Sequence, residues 1–595
     1  MPWIRGFVAE LQRRRVIRAL AIWGVAAFAV LQVYEPVMHG LHLPDWTLSF
    51  VVVVLGLGFP VTAALAWSFD LTARGLERTP AVTGEAAGEP APARGGGLRL
   101  ALPLAVVGLM AAAPGLVYFF VWPGPGPRAA APAASAVAAP QGAPSIAVLP
   151  FVDMSPGKDQ EYFSDGISEE ILNALAQVKG LRVIGRTSSF SMKGRNEDLR
   201  SVGQRLNAAN LLEGSVRRAG SKVRITAQLI ETAGGSHLWS KQFDRELTDV
   251  FAVQEEIARA VVAALEVALL PGAAAPARTA DAEAHDLYLR GLDALSSGSV
   301  DGFESAVKLL ERVVARDPGY APAWAALSRA RFWAADQGNL DQRTEWPRAL
   351  REAERAVALA PASFEGFFAR GSFRLAAQQD WTGALADLER ARDLNPGSPD
   401  VLLQYGALLA TLGRMREADE TIERAVLLDP LHASAHVGLS IVRMGEGRLD
   451  EALLSATRAL ELAPQNNRAA RTLGFVLLLQ GKLPEARLAF RRSTNVLFSR
   501  MGDAMIDHTL GNAAASQRMV DAIVAEPGVH EGGAYQVTQV FAWRGEPERA
   551  LEWLGRAIDS HDAGTMYLRY DPVLKGLRSD PRYRKVLERL KLPLD

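Results

Sequence analysis

The chain has 595 residues, with 65 Lys and Arg against 66 Asp and Glu and a formal charge of -1. That length allows roughly three or four domains of about 150 residues, and the balanced charge, with Arg far outnumbering Lys, excludes a strongly basic surface and with it nucleic acid as the main partner. Cysteine is absent, which removes thiolate nucleophiles, Fe–S clusters, cysteine zinc sites and disulfides in one step.

Residues 1–128 read as a membrane region. Three uncharged apolar stretches, Ala19–Tyr34, Trp46–Phe69 and Leu100–Trp122, give candidate spans at about 17–36, 46–69 and 100–122, a helical span needing about 20 residues. Arg5, Arg13, Arg14, Arg15 and Arg18 precede the first, no Lys or Arg lies between 35 and 45, and Arg74, Arg78, Arg94 and Arg99 follow the second. Positive charge stays on the cytoplasmic side of short loops. The expectation is therefore a protein integral to the bacterial inner membrane, with residues after about 123 in the periplasm. "RRRVIR" loosely resembles a twin-arginine signal, but no small-residue cleavage site follows it, which favours an anchor. Residues 123–143, rich in Pro, Ala and Gly, predict a linker reaching at most about 65 Å.

From 144 to 270 strand-like and helix-like segments alternate. "SIAVLPF" predicts a buried strand, and "ISEEILNALAQV" places Ile167, Ile171, Leu172, Leu175 and Val178 on one helical face. "LRVIGR" and "EDLRSVGQRL" predict a further strand and helix, three period-two strands follow between 210 and 246, and a helix closes the domain. The loop between the first strand and helix carries Asp153, Asp159, Glu161, Asp165 and the pair Gly157-Lys158. A phosphate-binding Walker loop would need Gly at 152 and a hydroxyl at 159, where Val152 and Asp159 stand. Ser164 and Asp165 fit helix N-capping, and Glu169 and Glu170 suit the positive end of the helix dipole. A structural strand-loop-helix connection explains the stretch better than a catalytic site.

The segments "SIAVLPFVDMS", "EYFSDGISEEILNAL", "LRVIGRTSSFSMKG", "LLEGSVRRAGSKVRITAQLIET", "HLWSKQFDREL" and "VFAVQEEIARAVV" together resemble the TolB N-terminal-like domain, related to the FlgO domain. The resemblance implies a non-catalytic sensory or envelope module without an established cofactor, found beside tetratricopeptide repeats. Some relatives carry a nucleotide cyclase or a winged-helix domain ahead of the membrane region; only about 18 residues precede the first expected span in this sequence, so no attached output domain is expected.

The second half, 284–595, is periodic. Pro318, Pro361, Pro396, Pro430 and Pro464 fall 43, 35, 34 and 34 residues apart, and a 34-residue helix-turn-helix period marks tetratricopeptide repeats. Ala384, Ala391, Ala418, Ala425, Ala452 and Ala459 stay in phase, as do Gly371, Gly406 and Gly474, with Leu388, Ile422 and Phe490 as bulky partners. The longer interval predicts an extended turn in "AADQGNLDQRTEW"; residues 499–530 read as irregular helix, and the tail as a cap on the stack. Helix A of each repeat lines a concave surface suited to an extended peptide. By phase, the candidate lining residues are Arg329, Phe332, Phe368, Ser372, Leu403, Ala407, Val437, Ile441, Arg471 and Phe475.

The expected fold class is therefore multidomain: transmembrane α-helices, a small α/β TolB-like domain, and an all-α tetratricopeptide solenoid with a C-terminal cap. His432 and His436 have metal-compatible spacing, but position 433 is Ala, so the metalloprotease motif is incomplete and no metal, cofactor or catalytic residue is assigned. The function expected is a non-enzymatic scaffold or sensor that binds proteins, with an oligomer allowed. Alternatives are a regulatory subunit for a separate effector and an envelope hydrolase built from scattered carboxylates.

Overall fold

A computed structural model gives the structure of the chain, which divides into two units, residues 1–138 and 139–595. It describes scattered helical positions between 20 and 62, residues 69–72 and 75–78, and residues 144–594 except 179, 196, 247–249, 266–278, 338–339 and 527. In the first unit, Phe69–Thr72 (β1) and Gly75–Arg78 (β2) pair as an antiparallel ribbon, Phe69 opposite Arg78. Among the described residues no helix is long and apolar enough to cross a membrane. That overturns the transmembrane part of the expected fold class and the inner-membrane, periplasm-facing localisation built on it. Apolar content supports a span only where it forms one unbroken helix of about 20 residues, and the second candidate segment runs into the first residue of the ribbon. Apart from Phe69 and the scattered helical positions between 20 and 62, the 17–36, 46–69 and 100–122 candidates lie outside the described residues.

The second unit begins with a mixed sheet. Its strands are Ser145–Val148 (β3), Val152–Asp153 (β4), Arg182–Val183 (β5), Asn210–Ala219 (β6), Lys222–Glu231 (β7) and His237–Glu246 (β8). The order is β5-β3-β6-β7-β8, with β4 beside the far half of β6. β3 runs parallel to β5 and β6, while β6, β7 and β8 are antiparallel. Its helices are Glu161–Ala176 (α1), Arg186–Phe190 (α2), Leu199–Leu206 (α3) and Val250–Ala264 (α4). Along β7 the period of two buries Val223, Ile225, Ala227 and Leu229 against α1 and α4. A smaller cluster of Ala147, Ile184, Val202, Leu206 and Leu211 seats α3 on the opposite face.

α1 begins earlier than its capping residues suggest. Asp153 accepts hydrogen bonds from Ser155 N at 2.8 Å and Gln160 N at 2.9 Å, so the loop is pinned and the helix starts at Glu161. Ser164 and Asp165 therefore lie inside the helix, buried, and Lys193 Nζ sits 2.6 Å from Asp165 Oδ2.

Eight helix pairs follow: Ala282–Ser296 and Val300–Arg316 (α5, α6), Ala321–Asp336 and Gln342–Leu359 (α7, α8), Phe364–Phe373 and Trp381–Leu394 (α9, α10), Pro399–Thr411 and Met415–Leu428 (α11, α12), Ala433–Gly445 and Leu449–Leu462 (α13, α14), Asn467–Leu479 and Leu483–Arg491 (α15, α16), Val496–Thr509 and Ala513–Val524 (α17, α18) and, after the short Val529–Gly532 (α19), Ala534–Trp543 and Pro547–Asp559 (α20, α21). The in-phase alanines at 384, 391, 418, 425, 452 and 459 are fully buried. A Cβ on Gly474 would meet the Phe490 ring at 2.7 Å, nearer than side chains approach one another, so only glycine admits that ring between α15 and α16. The long interval mostly lengthens helices: α7 and α8 have 16 and 18 residues where α11 and α12 have 13 and 14. A π-helical turn, Arg374–Gln378, ends α9 and leaves Gln379 left-handed at φ 54°. The "irregular" stretch is in fact the ordinary pair α17 and α18, in which buried Ser516 takes the place of an alanine by donating to Ala504 O at 2.8 Å.

Candidate functional site

The A helices of the repeats are where an extended segment would be held, and the tail of the chain itself already lies against several of these repeats. After α21, two 3-10 turns, Ala563–Tyr567 and Pro572–Leu577, and the helix Pro581–Arg589 (α22) run back across the A helices. Gln379 Nε2 donates to Thr565 Oγ1 at 2.8 Å, Arg569 Nη1 to Leu412 O at 2.9 Å, Arg468 Nη2 to Tyr567 OH at 3.1 Å and Trp381 Nε1 to Leu590 O at 2.7 Å. Asp571 accepts from Tyr535 OH at 2.8 Å and Gln539 Nε2 at 2.7 Å on α20. Burial pushes the Asp571 carboxyl above its ordinary range, and these donors pull against that. α22 also packs on α21, with Arg582 bidentate to Glu548 at 2.6 and 2.8 Å. The tail is thus more than the end cap expected from the sequence.

The ten candidate residues fall into two groups. Phe368, Val437, Ile441 and Phe475 are buried. Arg329, Phe332, Ser372, Leu403, Ala407 and Arg471 are partly exposed. Ile441, Arg471 and Phe475 meet at one small cavity against the tail. Arg329 lies over the Phe368 ring, 5.3 Å from its centroid, and Phe332 stacks on Trp346 at 6.0 Å. The Ser372 hydroxyl is buried with no partner among the described residues, and Ala407 O accepts from Thr411 Oγ1 at 2.9 Å. Leu403 packs at the core margin, within reach of Gly438 on the next A helix.

Sequence periodicity gave no hint of a second feature, the seam joining the sheet domain to the repeats. Asp429, in the turn between α12 and α13, accepts from Thr187 N at 3.2 Å, from Ser188 N at 2.8 Å and from the Ser188 hydroxyl, while Leu431 N donates to Ser188 Oγ at 2.8 Å. Gly185 N donates to Leu428 O at 2.6 Å. Further along, Asp286 on α5 takes Tyr162 OH at 2.7 Å and pairs with Arg218 and Arg290, and His285 Nε2 lies 3.1 Å from Glu170. The only sequence signal was that Asp429 precedes the repeat proline, which reads equally well as turn chemistry. Replacing Asp429 by Ala leaves two backbone donors and a hydroxyl without an acceptor, so a loss of about 2–3 kcal/mol is expected, with Asn intermediate. Thermal unfolding of both variants checks this; equal melting temperatures for Ala and wild type would mean that water replaces the carboxylate.

Among the described residues no group of three or more His, Asp and Glu is placed to hold a metal. His432 Nε2 is 3.9 Å from Asp400 Oδ1, and His436 Nε2 is 3.0 Å from Pro430 O, so the two imidazoles have separate partners.

Sequence models of the tetratricopeptide repeat match residues 375–439 and 439–495. Residues 141–260 match the second domain of HilA/YgeH-like transcriptional regulators, so the TolB-like, FlgO-related resemblance is not the description this domain receives. The chain is 46% identical over 188 residues to "putative adenylate cyclase 3" of Rhizobium meliloti (strain 1021), a match covering 31% of this chain and 32% of that protein. The shared part is therefore about a third of that relative's length. Among solved structures, a thermophilic tetratricopeptide protein of Thermus thermophilus is 23% identical over 33% of this chain and 99% of its own, with a TM-score of 0.28. PilF of Pseudomonas aeruginosa is 16% identical over 35% and 92%, with a TM-score of 0.29. The two family matches and the helix pairs themselves make the C-terminal half a tetratricopeptide solenoid, a protein-interaction scaffold.

Proposed function

We propose that the chain is a non-enzymatic scaffold or sensor in which the solenoid, residues 284–595, holds a segment of a partner protein and the sheet domain, residues 144–270, acts as a sensory module locked to it. The observation that carries this reading is the run of in-phase helix pairs with a partly exposed concave strip at one end. The partner would lie along Arg329, Phe332, Ser372, Leu403 and Ala407; Phe368, Val437, Ile441 and Phe475 form the wall behind, and Arg471 belongs to the part covered by the tail. Photo-crosslinkers at positions 403 and 407, followed by identification of the captured peptide, test it. Capture should be lost on Arg329→Glu and kept on a charge change on the outer B helices. No specific peptide, or capture indifferent to Arg329→Glu, would sink the groove reading.

A second, regulatory reading is favoured by the 46% identity over 188 residues to a putative adenylate cyclase. In this reading the chain modulates a separate effector enzyme. A purified cyclase whose rate is unchanged by stoichiometric addition of the chain would remove that effector from consideration.

A further inference from the structure

The cavity where the tail meets α13, α15 and α20 has a volume of about 30 Å³ and is lined in part by Arg471, Thr472, Gln539, Tyr567, Tyr570 and Asp571. Every charged group around it is committed except one. Asp571 accepts from Tyr535 OH, from Gln539 Nε2 and, at 2.9 Å, from Val573 N. Asp562 accepts from Tyr535 N at 3.0 Å and Gly564 N at 2.8 Å, and Arg468 donates to Tyr567 OH. Arg471 has no ion pair or hydrogen bond among the described residues; its guanidinium lies over the Phe498 ring, 4.7 Å from the centroid. Arg471 is partly exposed; its packing and the neighbouring Arg468 lower the affinity of the guanidinium for its proton, opposed by Tyr567, Tyr535 and Asp571. The Gln539 carbonyl oxygen is likewise buried with no donor.

We propose that this cavity binds one small anion, of carboxylate or halide size, held by the Arg471 guanidinium between the tail and the A helices. A water needs roughly 10–15 Å³ measured this way, so the space takes a small anion and about one water, which would donate to the Gln539 oxygen. Phosphate esters and nucleotides are too large. The anion joins α15 to the tail and so tightens closure of the groove end that the tail covers, independently of what the open end binds.

The test uses the full chain at constant ionic strength, with gluconate, too bulky for the cavity, replaced stepwise by acetate or chloride. The melting temperature should rise and saturate with either small anion. Arg471→Met should abolish the saturable rise, and Arg471→Lys should keep it with at least tenfold weaker apparent affinity. Should Arg471→Met fail to fold, chloride NMR on the wild-type chain decides: excess line width that acetate displaces supports the site. No saturable effect of either anion on the wild type, or line width that acetate does not displace, overturns it and leaves a water-filled cavity.

Discussion

Replacing Arg331 by Met is expected to lower stability by about 3–5 kcal/mol, the usual result of removing one partner from a buried ion pair. Arg331, on α7, is 2% exposed. Its Nε lies 2.8 and 3.0 Å from the two oxygens of Glu352, its Nη2 lies 2.7 Å from Glu311, and its Nη1 contacts Glu345. Three carboxylates converge on one guanidinium, and the outer Arg348 reaches only Glu311 and Glu345, each at 3.1 Å. Without Arg331, Glu352 is a buried carboxylate with no counterion in contact, Arg348 acting on it only from a distance. Burial already raises the Glu352 carboxyl above its ordinary value, with Arg331 opposing the rise, so the substitution raises it further. A carboxyl raised in the folded state binds its proton more tightly there than in the unfolded chain. Its contribution is therefore fully present below the unfolded value near 4.3 and is lost as pH rises through the folded value. The variant should be penalised least at about pH 5 and most at about pH 8. Adding Glu352→Gln should recover much of the loss at the higher pH. Chemical unfolding at both pH values measures it. A penalty under about 1 kcal/mol that does not vary with pH would mean the cluster behaves like an exposed pair.

Helix packing and buried charge differ in how far the sequence reveals them. Gly371, Gly406 and Gly474 and their bulky partners Leu388, Ile422 and Phe490 were readable, because close packing of paired helices imposes a local period that composition must obey. Strand β7 was readable for the same reason at period two, whereas burial along β6 and β8 does not alternate. Arg331 with Glu311, Glu345 and Glu352 was not: the four lie on three helices, and a charge in a helical stretch reads as surface until tertiary packing covers it. Asp429 with Ser188 is a contact across 241 positions of sequence, and nothing local marks either residue. The candidate groove illustrates a different limit. Phase identifies which face of helix A is concave, yet says nothing of a segment a hundred or more residues away that lies on it. Phe368, Val437, Ile441 and Phe475, assigned to that face by phase, are buried.

Ending the chain at Asp559 is expected to abolish a soluble folded solenoid rather than to uncover a working groove. Leu568, Tyr570, Val573, Leu574, Leu577, Tyr583 and Leu590 are each no more than 8% exposed. At about 1.5–3 kcal/mol for each large apolar side chain, their burial matches or exceeds the 5–15 kcal/mol net stability of a typical domain, even after discount for a compact unfolded state. Truncation would also bare Tyr535, Phe475 and Ile441 and leave the Trp381 indole N–H without its acceptor, Leu590 O. The shortened chain should aggregate or bind a hydrophobic dye, and a peptide of residues 560–595 supplied in trans should restore a cooperative melt. The alternative outcome is equally informative. A truncated chain that melts like the whole one, and captures its partner more tightly, would make the tail a displaceable occupant and return the covered residues Ile441, Arg471 and Phe475 to the binding surface. With the tail as a fixed wall, the proposed partner contacts would be confined to the end of the repeats between Arg329 and Ala407, and substitutions at Arg471 or Phe475 would act on stability rather than on capture.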